Sequence, residues 1–308
     1  MTVVGRIAPS PTGRLHLGHA RSFLLAWWSA RAQGGRVVLR IDDLDQQRTV
    51  PGSAEQILED LSWLGLDWDG EPLLQSTRAA AYREALRRLE EHGAIYPCVC
   101  TRKEIASAVS APHASDGETR YPGTCRADPS RARQAPAGSR ALRYRVPDGP
   151  VSWLDRFMGP AKIDVARTAG DFVVARRDGV ASYQLATAVD DAYQGVTEVV
   201  RGEDLLPSAA RQMLLARALG LEVPEQAHVR LVVDHRGERL AKRDGAVTLD
   251  ELRRAGVTSE RICRWAARSA GLTETEHPRP ANFWVSQPMM VREVDQPIRL
   301  PLRLLEDL

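Results

Sequence analysis

Two histidines three positions apart, His16 and His19, stand in the run PSPTGRLHLGH at 9–19. A strand-like stretch precedes them, a turn at Gly13 interrupts it, and helical spacing starts at Gly18. A helix N-terminus offers unpaired N–H groups and the positive end of a dipole, which suits phosphate. Imidazoles placed there can donate to a triphosphate and stabilise charge as a phosphorus reacts. Gly18 lets a base or ribose approach the backbone. Taken alone, the same residues are a strand–turn–helix with two polar loop histidines. A second run, RLAKRDGA at 239–246, sets Lys242 between Arg239 and Arg243. A lysine on a glycine-ended loop can reach a pyrophosphate as charge builds on it. Alone, that run is a basic surface loop.

The cysteines make a third group. Cys98 and Cys100 are two apart, and Cys125 follows beyond a stretch rich in Pro, Gly, Ser and Arg. Three such cysteines in a chain without a disulfide scaffold point to zinc rather than to disulfides. Three thiolates leave a fourth tetrahedral position, for which spacing nominates His113. Cys263 lies in a helical stretch and reads as a small buried apolar residue.

These residues need elements to hold them. VVGRIA (3–8), a helix over 18–33 and RVVLRI (36–41) make a βαβ unit, hence a parallel sheet. Ser53 and Gln56 read as a capping box before a helix carrying Ile57, Leu58, Leu61 and Leu64. A further helix spans about 78–92. Residues 98–150 lack periodicity and read as an insertion. FVVAR (172–176), YQLATAV (183–189), TEVV (197–200) and HVRLVV (228–233) read as strands, and 207–219 as a helix. The chain is helical after about Thr248, and the last thirty residues resist assignment. Trp27, Trp28, Trp63, Trp68 and Trp265 read as core.

At 308 residues, about two domains are expected. Apolar residues at 43% suffice for a core and exclude disorder as the main state. No apolar run reaches the ~18–20 residues of a membrane span, and the N-terminus lacks a basic-then-apolar leader. The cytoplasm is therefore expected. A net charge of +2 confines any polyanion site to a local patch. Lys103, Lys162 and Lys242 are the three lysines and the other 39 basic residues are arginines, so Lys242 stands out as a compact ammonium.

HLGH, close to the HIGH signature, and RLAKR, a degenerate KMSKS loop, resemble a class I aminoacyl-tRNA synthetase. RIAPSPTGRLHLGHAR, LRIDDLDQQR, YQLATAVDDAYQGVTEVVRGEDLL and RLAKRDGA are similar to the glutamyl branch, over roughly residues 5–95 and 170–270. About sixty residues follow the RLAKR loop. That length leaves out the anticodon-binding region of the glutamyl-tRNA synthetases, so the chain resembles the glutamyl-Q tRNA(Asp) synthetases.

The resemblance implies an α/β fold. It comprises a Rossmann-like parallel sheet of the class I synthetase type, an inserted zinc-bearing α+β region and a helical C-terminal part. The divisions expected are 1–97 and 171–247 for the two catalytic halves, 98–170 for the insertion and 248–308 for the helical region. It implies a ligase that activates L-glutamate with Mg2+-ATP and transfers it to the queuosine base in the anticodon of tRNA(Asp). His16, His19 and Lys242 would be catalytic, and His16, Gly18, His19 and Lys242 would bind ATP.

Glutamate, with two carboxylates and an ammonium, calls for guanidinium forks and an acid. Arg6 and Arg201 stand at the ends of strands, where α/β sheets bind ligands. Asp42 follows the second strand and Tyr183 offers a hydroxyl. The resemblance carries these roles to Arg6, Ile7, Ala8, Pro9, Ser10, Asp42, Tyr183 and Arg201. Asp42 departs from the glutamate usual there. The resemblance also implies one structural Zn2+ held by Cys98, Cys100, Tyr121 and Cys125, with His113 as the rival to Tyr121. The protein is expected to be a monomer with no membrane partner. A truncated glutamyl-tRNA synthetase charging a tRNA 3′ end, and a non-catalytic nucleotide- or RNA-binding paralogue, stay open at this point.

Overall fold

The computed structural model describes residues 2–108, 120–136, 138–233, 247–272, 280–286 and 297–299. β1 (Val4–Ile7) leads through α1 (Leu17–Ala32) to β2 (Arg36–Ile41), parallel to β1 with Arg6 opposite Val38. α2 (Ser53–Trp63) then leads to β3 (Leu73–Leu74), parallel to β2, and α3 (Ala79–Glu91) follows. The middle of the chain holds β4 (Ile95–Cys98), α4 (Arg102–Ala108), α5 (Thr124–Ala127), α6 (Ser130–Arg133) and β5 (Ala141–Tyr144). The hairpin β6 (Val151–Asp155) and β7 (Gly159–Ile163) comes next, then α7 (Val165–Thr168) and β8 (Val173–Ala175). β4, β5 and β8 form an antiparallel sheet in that order.

The parallel architecture resumes with α8 (Tyr183–Tyr193), β9 (Glu198–Gly202), α9 (Leu206–Leu219) and β10 (Glu225–Val229). β10 pairs with β9. β9 lies beside β1, where Thr197 N–H donates to Val4 O at 2.9 Å and Val4 N–H donates to Thr197 Oγ1 at 2.9 Å. β11 (Val232–Val233), α10 (Leu249–Arg254), α11 (Ser259–Ser269) and β12 (Ile298–Arg299) complete the α-helices and strands among the described residues, with short 3-10 turns at 75–78, 203–205 and 281–286. No helix among the described residues is long and apolar enough to cross a membrane.

α1 is buried almost all round, from Leu17 to Ala30, because it is covered on two sides. One side meets the parallel sheet. On the other, Trp28 Nε1–H donates to Ala281 O at 2.8 Å, and Arg21 Nε–H donates to Ser269 Oγ at 2.7 Å. Trp27 and Trp28 are buried, and Trp63, Trp68 and Trp265 pack against the same core. A second core lies between α3, α8, α9 and the antiparallel sheet.

Three local expectations are corrected. YQLATAV is the start of helix α8, not a strand. Ser182 caps it by accepting Leu185 N–H, Leu185, Ala186 and Val189 fall at helical spacing, and Gly195 closes it in the left-handed region. Ser53 is not a cap, since Gly52 holds that position. The Ser53 hydroxyl instead takes Gly13 N–H at 3.2 Å and donates to Gly13 O at 3.1 Å, tying the turn after β1 to α2. HVRLVV is not one strand. Arg230 O accepts from Arg21 Nη1 at 3.0 Å and Leu231 N–H goes to Glu203 Oε1 at 2.9 Å, so side chains interrupt the ladder between β10 and β11.

Candidate functional site

His16 is the N-cap of α1, with its own imidazole as the capping group. Its Nδ1 accepts Gly18 N–H at 3.1 Å, and His19 Nδ1 accepts His16 N–H at 3.3 Å. Both Nδ1 atoms are acceptors, so each neutral ring carries its proton on Nε2. The rings stack with centroids 3.7 Å apart. Gly18 lets the ring lie this close, since a Cβ there would lie 3.1 Å from the His16 ring and the ring would have to shift. Lys242, with Arg239 and Arg243, lies outside the described residues. The chain on both sides of that run is nevertheless at the histidines. Val232 Cβ would be 3.8 Å from a Cβ at Gly18, Thr248 bridges His16, and Leu249 N–H donates to Leu15 O at 2.9 Å.

The acid- and guanidinium-bearing residues converge at the middle of the parallel sheet. Arg6 Nε–H donates to Asp191 Oδ1 at 3.2 Å, and Arg40 donates to the same atom from Nη1 at 2.5 Å. Arg40 Nε–H also donates to Asp42 Oδ1 at 2.7 Å. Burial pushes the Asp42 carboxyl up, and Arg40 and Arg6 offset only part of that. Burial acts the same way on Asp191, but Arg6 and Arg40 outweigh it and hold the carboxyl below its usual range.

Arg201 is buried, and burial lowers its pKa; the Tyr183 hydroxyl, hydrogen-bonded to it, acts the other way. Its Nη1 donates to Gln212 Oε1 at 2.8 Å, its Nη2 to Gln226 Oε1 at 2.9 Å and its Nε to His228 Nε2 at 3.1 Å. Tyr183 itself is 37% exposed. Pro9 O accepts Asp42 N–H at 2.9 Å, which brings the Arg6–Ser10 segment against Asp42, with Ile7 buried and Ser10 exposed.

Sequence reasoning named Arg6, Asp42, Tyr183 and Arg201 but missed Arg40, Asp191, Gln212, Gln226 and His228. The signal for Arg40 was an arginine inside an apolar strand. For Asp191 it was a position two helical turns after Tyr183, on one face of α8 with Thr187. The Thr187 hydroxyl is buried with no hydrogen-bond partner among the described residues.

The Sγ atoms of Cys98, Cys100 and Cys125 lie within 4.8 Å of one another, and could hold a metal ion. Cys100 and Cys125 Sγ are 3.5 Å apart, and Tyr121 Oη is 3.4 Å from Cys98 Sγ and 3.8 Å from Cys100 Sγ. Thiolates at ~2.3 Å around a tetrahedral ion stand about 3.8 Å apart, so the donor set fits. Burial pushes the Cys100 thiol up to about 11, a shift that a bound cation would reverse. Arg143 stacks on the Tyr121 ring at 3.8 Å and donates to Cys98 Sγ at 3.2 Å. His113, the rival ligand, lies outside the described residues.

Residues 2–279 match the family model of tRNA synthetases class I (E and Q), catalytic domain. A relative named glutamyl-Q tRNA(Asp) synthetase from Symbiobacterium thermophilum is 45% identical over 96% of this chain and 95% of its own length. One of the same name from Nocardia farcinica is 49% identical over 90% and 86%. The solved glutamate tRNA ligase of Elizabethkingia meningosepticum, in complex with its amino acid, superposes with a TM-score of 0.83. It is 26% identical and covers 99% of this chain, which spans 68% of its length. The chain belongs to the class I tRNA synthetases for E and Q, among the relatives that carry the glutamyl-Q tRNA(Asp) synthetase name.

Proposed function

We propose that this ligase activates L-glutamate with Mg2+-ATP and transfers it to the queuosine base in the anticodon of tRNA(Asp). The observation that carries the proposal is a parallel sheet with two buried arginines, Arg6 and Arg201, the second of them against the Tyr183 hydroxyl. It belongs to a chain 45% identical to a glutamyl-Q tRNA(Asp) synthetase over 95% of that relative's length.

The glutamate carboxylate attacks the α-phosphorus, and pyrophosphate leaves as the adenylate forms. The carboxylate is already ionised, so no general base is needed and catalysis rests on positioning and charge stabilisation. His16 and His19 offer Nε2–H to the phosphates across the α1 N-terminus, and Gly18 gives the nucleotide room. Lys242 neutralises charge on the departing pyrophosphate. Arg6 and Arg201 orient the carboxylates with Tyr183. Ile7, Ala8, Pro9 and Ser10 line the approach, and Asp42 faces the ammonium. A hydroxyl of the queuosine cyclopentenediol then attacks the glutamyl carbonyl, and AMP leaves. Mg2+ bound with ATP would screen the charge of the triphosphate. Cys98, Cys100, Cys125 and Tyr121 would hold one Zn2+, which secures the antiparallel region and takes no part in the chemistry.

The test compares tRNA from cells able and unable to make queuosine. Labelled glutamate attaches to the first sample alone, and the label survives removal of the 3′-terminal adenosine. Equal labelling of both samples, or label lost with that adenosine, establishes 3′-end charging instead.

A further inference from the structure

Beneath Arg201 runs a buried chain of polar groups that none of the roles above uses. Arg201 is 4% exposed, His228 0% and Asp155 1%. The Nε–H of an arginine can only donate, so His228 Nε2, 3.1 Å away, must accept. The ring proton is then on Nδ1, which faces Asp155 Oδ2 at 2.5 Å. Asp155 is fixed in turn. Its Oδ1 accepts the backbone N–H groups of His228 at 2.9 Å, Phe157 at 3.2 Å and Met158 at 3.1 Å. Every member has one allowed protonation state, and a protonated or Nε2–H ring would set N–H against N–H at Arg201.

We infer that His228 is a positioning residue: Asp155 holds it as the Nδ1–H tautomer, and its bare Nε2 fixes the Arg201 guanidinium for glutamate. The inference rests on the reading of Arg201 as a glutamate ligand and goes beyond it. Asp155 ends β6, in the hairpin between the two halves of the parallel sheet. Arg156 N–H, next along, donates to Gln226 O at 2.8 Å. The hairpin therefore sets an arginine of a different sheet. Buried hydrogen-bond partners of this kind hold binding groups in productive geometry.

The test uses the whole enzyme and glutamate-dependent ATP–pyrophosphate exchange. Asp155→Asn is isosteric. Its carbonyl oxygen must keep the three backbone donors, so its NH2 faces Nδ1 and drives the ring proton to Nε2. The expected result is a rise of about 10-fold in KM for glutamate, the size of one lost charge-assisted hydrogen bond. KM for ATP stays within twofold. His228→Leu has the same effect, and His228→Gln, whose carbonyl can occupy the Nε2 position, restores most of the wild-type KM. Nitrogen NMR of the histidine-labelled enzyme shows His228 as Nδ1–H in the wild type and Nε2–H in Asp155→Asn. A wild-type Nε2–H signal overturns the inference, as does an unchanged glutamate KM in a folded His228→Leu enzyme. Should Asp155→Asn fail to fold, the wild-type tautomer and the Leu/Gln pair still decide. Arg201→Lys separates the two readings. If it leaves the glutamate KM unchanged, the role given to Arg201 is wrong, whatever the tautomer.

Discussion

His16 and His19 direct their Nδ1 atoms at their own backbone, and that single fact settles which nitrogen of each ring can donate. Gly18 makes it sterically feasible. An alanine there meets the His16 ring at 3.1 Å and must displace it. The cap it disturbs is worth ~1 kcal/mol, and the helix propensity gained over glycine is about the same. Gly18→Ala is therefore expected to leave the thermal midpoint nearly unchanged while pyrophosphate exchange falls on the order of 10², as for one misplaced donor. Calorimetry beside the exchange assay checks it, and parallel losses of both would make Gly18 a stability residue. The same scale explains what was legible. HLGH and the paired cysteines could be named from sequence because their members are neighbours. Asp191 meets Arg40 across 151 positions and Asp155 meets His228 across 73. Only the topology joins such pairs.

Elements show where local pattern misleads. The run 183–189 mixes Thr187 and Val189 with apolar neighbours, so it passes for a buried strand; the cap at Ser182 and the stop at Gly195 decide for helix. Glu203 and Arg21 interrupt 228–233 from outside it, which no pattern within the run foretells. The βαβ opening was legible because its strands are mostly apolar, VGRI and RVVLRI, and its helix ends at Gly34-Gly35. The cysteine region depends on a contact equally remote. Gly170, at φ 68°, would place a Cβ 2.3 Å from Tyr121 O, and Tyr121 N–H donates to Ala169 O at 2.9 Å. Gly170→Ala is expected to push the Tyr121 segment off the thiol cluster, at about 1–3 kcal/mol of stability. Metal analysis after gel filtration is expected to give about one zinc per chain for the wild type and to fall toward none for Gly170→Ala. Full zinc in a destabilised Gly170→Ala protein would separate Tyr121 from the metal site.

Across the whole molecule, buried charge links the parallel sheet to the inserted hairpin, and this makes stability depend on pH in two windows. Asp191 and Asp155 are held below the usual carboxylate range, so their contribution is present above the unfolded value of ~3.9 and is lost as pH falls through their lower folded values. Asp42 is raised and acts oppositely just above that point, where the folded chain binds the extra proton. His228 governs the milder window. Burial lowers its pKa, with Arg201 adding to that while Asp155 and Asp204 act against it. The unfolded chain then takes up a proton near pH 6.5 and the folded chain does not, so stability falls as pH drops below about 6.5 toward the lower folded value. A glutamine at 228 cannot titrate. The thermal midpoint of His228→Gln should therefore decline less than that of the wild type between pH 6.5 and 5, at fixed ionic strength, while the difference between them stays constant above pH 7. Calorimetry across that range measures it. Parallel curves for the two proteins would mean that His228 carries the same proton count folded and unfolded, contrary to its burial between Arg201 and Asp155.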